Sequence, residues 1–221
     1  MTALAWDTTG QRFFELGVDH GVLYPYDTKT SSYPKGVAWN GLTSVNESPE
    51  GAEPNDMWAD NMKYATIRST ETFGGTIEAY TYPDEFELCD GSASVADGVT
   101  VGQQTRSAFG LCYRTRIGND VNDELGYKLH LVYGATASPS EKSYETINDS
   151  PDAITFSWEF DTTPVAVAGY KPTSLITIDS TKADSTALAS LLAILYGGEN
   201  TEPRLPLPDE VIQTMGGATS E

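Results

Sequence analysis

Three stretches of this chain alternate apolar and polar residues with a period of two, and that period allows little besides strands. Phe109, Leu111, Tyr113 and Thr115 alternate with Gly110, Cys112, Arg114 and Arg116. Tyr127, Leu129, Leu131 and Tyr133 alternate with Lys128, His130 and Val132, and Ile154, Phe156, Trp158 and Phe160 with Thr155, Ser157, Glu159 and Asp161. Successive side chains of a strand point to opposite faces, so each run sends one set to a core and the other outward. Half-buried antiparallel sheet is the expectation. Further short runs rich in Thr, Tyr, Val and Trp, broken by Gly, Pro, Asn and Asp, extend it. Strands are predicted over 21–26, 36–47, 57–68, 72–82, 108–117, 127–135, 153–161 and 174–178.

Helical spacing occurs only near the end. After Asp184 or Ser185 as N-cap, Leu188, Leu191, Leu192 and Leu195 share one helix face, and Gly197-Gly198 stops it. A second short helix opens at Pro208, whose fixed φ suits a first helical position, with Asp209 and Glu210 in its positive first turn. The C-terminal strand and helices thus span about 173–215, and the tail 216–221 is expected to fray. With no internal repeat and no low-complexity linker, the 221 residues read as a single α+β domain, mostly β.

Charge narrows the function classes. The chain carries 13 Lys plus Arg against 32 Asp plus Glu, a net charge of −19. Phosphate backbones and anionic membranes both demand a basic face, so neither is an expected partner. The start MTALAWDTTG lacks a basic stretch followed by an apolar run, so no signal peptide is expected, and two cysteines make no disulfide framework. Synthesis in a cytoplasm follows. Catalysis has no positive support: His20 and His130 are far apart, and neither Cys89 nor Cys112 has zinc-site spacing. The stretch from Asp120 to Glu124 opens like a calcium loop, yet Leu125 stands where such a loop needs glycine. No enzyme activity, metal or cofactor is expected.

Two features each leave two readings open. The segment Ser48 to Gly51 reads as a turn, with Pro49 presetting φ and Gly51 tolerating the exit, so 36–68 forms one long hairpin. Its distal part, 46–56, is polar and acidic. It is either a solvated loop or an arm that another subunit covers, with Trp39, Leu42, Val45, Met57 and Trp58 as apolar anchors. Arg106, Arg114, Arg116, Lys128 and His130 gather five scarce basic or titratable groups, four of them on the polar faces of adjacent strands. They either pair across strands with Glu159, Asp161 or Glu78, or form a strip that meets acid on a neighbouring copy.

Longer segments carry a family resemblance. VDHGVLYPYD (18–27), GVAWNGLTSVNESPEGAEP (36–54), WADNMKY (58–64), GTIEAYTYPDEFELCDGS (75–92) and FGLCYRTRIGND (109–120) resemble major tail tube proteins of long-tailed bacteriophages. YKLHLVYGATASPSEKSYETINDSPDAITFSWEF (127–160) and LPLPDEV (205–211) extend the match along nearly the whole chain in one register. The resemblance implies a β-sandwich or barrel-like fold flanked by a helix. It also implies a virion protein whose copies form hexameric rings, stacked into a tail tube around a tape measure protein. Tail terminator and tail tip proteins are the other implied partners, and genomic DNA passes through in transit during ejection, without specific binding. A conduit for DNA calls for a negative lumen, and Glu71 and Glu78 are the candidates to line it. The alternative is a carbohydrate-binding β-sandwich of a phage tip or adhesin, with Trp6, Trp39, Trp58 and Trp158 as stacking platforms.

Overall fold

The computed structural model describes residues 3–51, 53–147, 149, 152–199 and 201–216. Its strands are β1 (Phe13–Pro25), β2 (Val37–Ala38), β3 (Leu42–Gly51), β4 (Pro54–Ala59), β5 (Met62–Arg68) and β6 (Glu71–Ala79). After helix α1 (Glu87–Asp90) come β7 (Ala93–Ala96), β8 (Val99–Val101), β9 (Phe109–Asn119), β10 (Gly126–Ala137), β11 (Phe156–Thr162) and β12 (Leu175–Asp179). Helices α2 (Ser185–Tyr196) and α3 (Pro208–Thr214) follow. The fold is α+β and mostly β, with antiparallel pairing throughout the ladders. Residues 217–221 of the tail expected to fray lie outside the described residues.

The main sheet runs β2-β1-β9-β10-β11-β6-β3, with β12 also paired to β10. It curls until its two ends meet: the Trp39 amide donates to the Gly21 carbonyl at 2.8 Å, and Leu42 packs over Gly21. The barrel-like interior holds Leu23, Ile77, Phe109, Leu111, Val132, Trp158 and Phe160. Phe86, just ahead of α1, plugs one end, its ring 4.7 Å from Trp39 and 5.1 Å from Trp158. Outside, α2 and α3 cover β1, β9 and β10 through a second apolar cluster of Cys112, Leu129, Leu131, Leu188, Leu191 and Leu195. The central strands are therefore buried on both faces, which corrects the expectation of half-buried sheet. The period-two pattern survives there only as a change of neighbours, whereas β11 and β6 do alternate buried with more exposed residues. The helix signals hold: the Asp184 side chain accepts from the Thr186 and Ala187 amides, and Pro208 stands at the start of α3.

One glycine lets the central strand serve two partners. Residues 128–132 of β10 pair with β12, whereas 135–137 pair with β11, and the switch is a bulge between Val132 and Ala135. Gly134 sits in it at φ +63°. Each backbone group freed by the bulge finds a partner: the Tyr133 amide donates to the Ser174 carbonyl at 2.9 Å, and the Thr163 amide to the Gly134 carbonyl at 3.0 Å. The Gly134 amide donates to the Tyr33 hydroxyl at 2.8 Å. A Cβ at this position would lie 2.2 Å from the Thr163 carbonyl oxygen. Gly134→Ala should therefore cost about 3 kcal/mol or more, from left-handed strain plus a backbone clash. Gly98→Ala, at φ +74° in open space, should cost only about 1 kcal/mol. Urea midpoints compare the two, and equal losses would refute this account of the bulge.

Candidate assembly interface

The hairpin arm is real but built differently from the sequence expectation. β3 runs straight through Ser48–Gly51 and pairs with β6, Ser48 opposite Gly74, Pro49 opposite Phe73 and Gly51 opposite Glu71. Proline is tolerated because β3 is an edge strand whose outward side needs no N–H. The chain reverses instead at Asp60-Asn61, where both residues have positive φ, +52° and +62°, the geometry of a two-residue hairpin turn. The arm is thus β4–β5, continuing outward from the β3–β6 ladder. Of the expected anchors, Trp39 is in the core, 3% exposed, with its indole N–H donating to the Thr81 carbonyl at 2.9 Å. Leu42 and Val45 pack against that core from β3, and Pro49 and Gly51 lie on the exposed part of the same edge. Only Met57 and Trp58 belong to the arm.

Three more apolar side chains share it: Met62 (63% exposed), Tyr64 (74%) and Ile67 (57%), beside Trp58 at 69%. Asp56 ties one face, ion-paired to Lys63 at 2.8 Å and accepting from the Thr66 hydroxyl. The register puts Met57, Ala59, Met62, Ala65 and Ile67 on the other face. A two-stranded hairpin is at best marginally stable alone, and among the described residues this one has no layer packed on it. The sequence hid Met62, Tyr64 and Ile67 because 57–68 reads as one strand until the turn at Asp60-Asn61 is recognised.

The basic group divides between two faces. Cross-strand partners share a face, and the register sets Arg116 opposite Tyr127 and Lys128 opposite Thr115. Arg114 and Arg116 therefore lie on the helix-side face, and Lys128 and His130 on the barrel-interior face. Their partners are also other than expected. Asp19, aimed by bulges in β1, accepts from Arg114 Nε at 2.7 Å, Arg114 Nη2 at 3.2 Å and Arg116 Nε at 3.1 Å. Arg116 also approaches Glu124 at 3.6 Å, Arg114 lies 4.7 Å over the Tyr127 ring, and Lys128 pairs with Glu15. His130 stacks on Tyr113, and its Nδ1 is 3.2 Å from Glu47 Oε1, which accepts from the Tyr113 hydroxyl at 2.5 Å. His130 and Tyr113 hold the Glu47 carboxyl below the usual range against partial burial. Arg106 stands apart, packed over Gly91 at the end of α1. Glu159, Asp161 and Glu78 are not their ion-pair partners among the described residues.

Those acids share a face of their own. Opposite the barrel interior, β3, β6 and β11 present Glu50, Glu78, Glu159 and Asp161, and none of these three strands contains Lys or Arg. Among the described residues no helix packs on this side. Glu78 is half-buried and accepts from the Ser44 hydroxyl at 2.8 Å, while Glu159 and Asp161 are exposed. Glu71, an odd number of residues from Glu78 on the same strand, falls on the other face, at the root of the arm. The two lumen candidates therefore cannot belong to one row.

Of the four tryptophans, Trp39 and Trp158 are core, and Trp6 and Trp58 are exposed. Among the described residues no three His, Cys, Asp or Glu side chains gather as a metal site, and no helix is long and apolar enough to cross a membrane. No protein-family model matches the chain, and no curated protein sequence does. Among solved structures, it is similar to a chain of the anti-feeding prophage baseplate, determined by cryo-electron microscopy with six-fold symmetrisation. That similarity covers 81% of this chain and 99% of the other, at 8% identity and a TM-score of 0.39. A likeness of that depth carries no functional inference, which rests on the residues themselves.

The Asp19 cluster yields a pH prediction. Partial burial opposes ionisation there, but Arg114 and Arg116 outweigh it and lower the carboxyl from 3.8 to about 2. A depressed folded-state pKa contributes stability that is full above pH 3.8 and is lost as pH falls towards 2. Asp19→Asn should cost about 2 kcal/mol at neutral pH, since it leaves two arginines short of a shared carboxylate. Its stability should also vary less with pH between 4 and 2, and parallel wild-type and variant curves across that window would contradict this.

Proposed function

We propose that this chain is the repeating subunit of a bacteriophage tail tube, a structural virion protein whose copies close into hexameric rings and stack into a conduit for DNA. The observation that carries the reading is the arm: Met57, Trp58, Met62, Tyr64 and Ile67 project beyond the sheet, each 45–74% exposed among the described residues. Apolar side chains grouped on a marginal hairpin mark a contact surface. The tail tube resemblance of the sequence supplies the partner, which is another copy.

Two further features support it. Among the described residues β3 pairs only with β6, carries no Lys and is interrupted by one proline, and beyond Val45, where it leaves β1, its outer edge is exposed and open to a strand of a neighbour. The sheet is also asymmetric, with helices over β1, β9 and β10 and a bare acidic face on β3, β6 and β11. In a tube the helix layer lies outside and the acidic face lines the lumen, where it keeps DNA from binding as it slides. A tape measure protein sets the length inside that lumen, and terminator and tip proteins close the ends. The carbohydrate-binding alternative loses Trp39 and Trp158 as platforms, because both are buried.

Electron microscopy of concentrated protein tests the reading: rings and tubes are expected, and dispersed monomers at every concentration would overturn it. Trp58→Ala should abolish tubes yet shift folding stability by no more than about 0.5 kcal/mol, as an exposed residue with no native partner should. Amides of residues 54–68 should gain hydrogen-exchange protection only on assembly. In tubes that still form, Glu78→Lys should slow DNA ejection, and more so at low salt. Ejection unchanged across salt would remove this face from the lumen.

A further inference from the structure

A second exposed hairpin lies at the opposite end of the same sheet. The arm leaves the start of β6, and the 84–101 segment, with α1 and the β7–β8 hairpin, follows its end; the nine residues of β6 separate these roots by about 30 Å. At this far end Leu88, Val95 and Val99 are 54%, 61% and 51% exposed. Beside the two valines an open cleft of about 600 Å³ is lined by Asp84, Glu85, Glu87 and Leu88 on one side and by Ala93, Ser94 and Thr100 on the other. The far end is also charged one way. Residues 84–101 hold Asp84, Glu85, Glu87, Asp90 and Asp97 with no Lys or Arg. Lys35 and Lys142 neutralise Glu85 and Asp90, which leaves Asp84, Glu87 and Asp97 without an ion pair among the described residues.

The arm is the complement in both respects. Its residues 54–68 carry Asp56 and Asp60 against Lys63 and Arg68, so it is neutral in a chain of net charge −19. Asp56 occupies Lys63, and Arg68 has no ion pair among the described residues. An apolar, neutral hairpin with a spare guanidinium thus stands at one end of the sheet, and at the other an acidic cleft with Leu88 on its wall and Val95 and Val99 exposed beside it. Two different patches at opposite ends make a head-to-tail contact, which repeats without limit along an axis.

From this we infer that the cleft between α1 and the β7–β8 hairpin is the receiving surface for the β4–β5 arm of a second copy in the next ring. The hairpin enters with both faces engaged: its Pro54–Arg68 face turns Arg68 to the carboxylates of Asp84 and Glu87, and the opposite face lays Met62 and Ile67 towards the β7–β8 hairpin beside Val95. The inference rests on the tube reading, and it names where the arm lands.

A bifunctional maleimide tests it on the full chain carrying Met62→Cys and Val95→Cys together. The native Cys89 and Cys112 are fully buried and do not compete. The double variant should link into a ladder of trimers and higher species, and each single variant should stop at dimers. Tubes that form normally but give no ladder would overturn the receiving surface and leave the tube reading standing. Wild-type protein that never assembles would overturn both. A charge swap gives an independent readout. Arg68→Glu should raise the concentration needed for assembly about tenfold, and adding Asp84→Arg should recover most of that loss. A swap with no recovery, in variants that retain wild-type unfolding midpoints, argues equally against this pairing.

Discussion

No side chain fits at residue 134, and the shape of the subunit depends on that. A strand pairs with one neighbour on each side, yet β10 must hold β12 along one half and β11 along the other. The bulge at Gly134 solves this by turning three backbone groups away from the ladder and giving each a partner from a separate segment, Ser174, Tyr33 and Thr163. Without it, β12 and the helices that follow could not lie on the outside while β11 and β6 close the barrel. The two apolar clusters, one inside the curl and one under α2, are consequences of that single divided strand.

Charge is distributed with the same economy. Thirteen cations serve thirty-two acids, so few cations are free for a partner. Arg114 and Arg116 are drawn to Asp19, Lys128 to Glu15, and His130 to Glu47, all within the subunit. Asp19 and Glu47 are approached through different elements, β1 and β3, so these pairs fasten the curled sheet to itself across strands. The strands left without cations, β3, β6 and β11, consequently expose acid alone. Their negative face is what remains once the other half of the sheet has taken the arginines.

What was legible in the sequence followed the strength of the periodic signal. β9, β10 and β11 were visible because seven-residue alternations cannot be satisfied otherwise, and α2 because Asp184 caps an unbroken leucine face. The failures share a cause. Pro49 and Gly51 carry strong local turn chemistry, yet tertiary pairing with Phe73 and Glu71 holds both in the edge strand, Pro49 where its missing N–H costs little and Gly51 at φ +88° where the ladder ends. Asp60-Asn61 lacks glycine and gives a weaker turn signal, although both residues tolerate positive φ. Trp39 reads as an arm residue by its place in that hairpin, because no pattern in 36–47 foretells Phe86 arriving from a later turn to pack against it. The split of the basic group follows from the register alone: Arg114 and Arg116 are even-numbered on β9, but their partners on β10 are Leu129 and Tyr127, leaving Lys128 and His130 on the reverse face.

The arm and the far-end hairpin pose one physical question, which is why a chain with ample core should leave so much apolar surface uncovered. Covering Met57, Met62 and Ile67 internally would need another layer, and the helices that could supply it are committed to the face over Cys112 and Leu131. A long open strand edge beside an apolar hairpin invites indiscriminate pairing, and natural sheets restrain that with charge and proline. Here Pro49 interrupts the edge, and Glu50, Glu159 and Asp161 surround it with like charge. A random approach of two such faces is repelled, whereas an approach that brings the neutral arm over the acidic cleft beside Leu88 meets little opposition. Self-repulsion over most of the surface thus acts as the selector. It leaves one low-charge element free to find its counterpart, and in the proposed tube that makes the direction of stacking a property of the monomer's charge map.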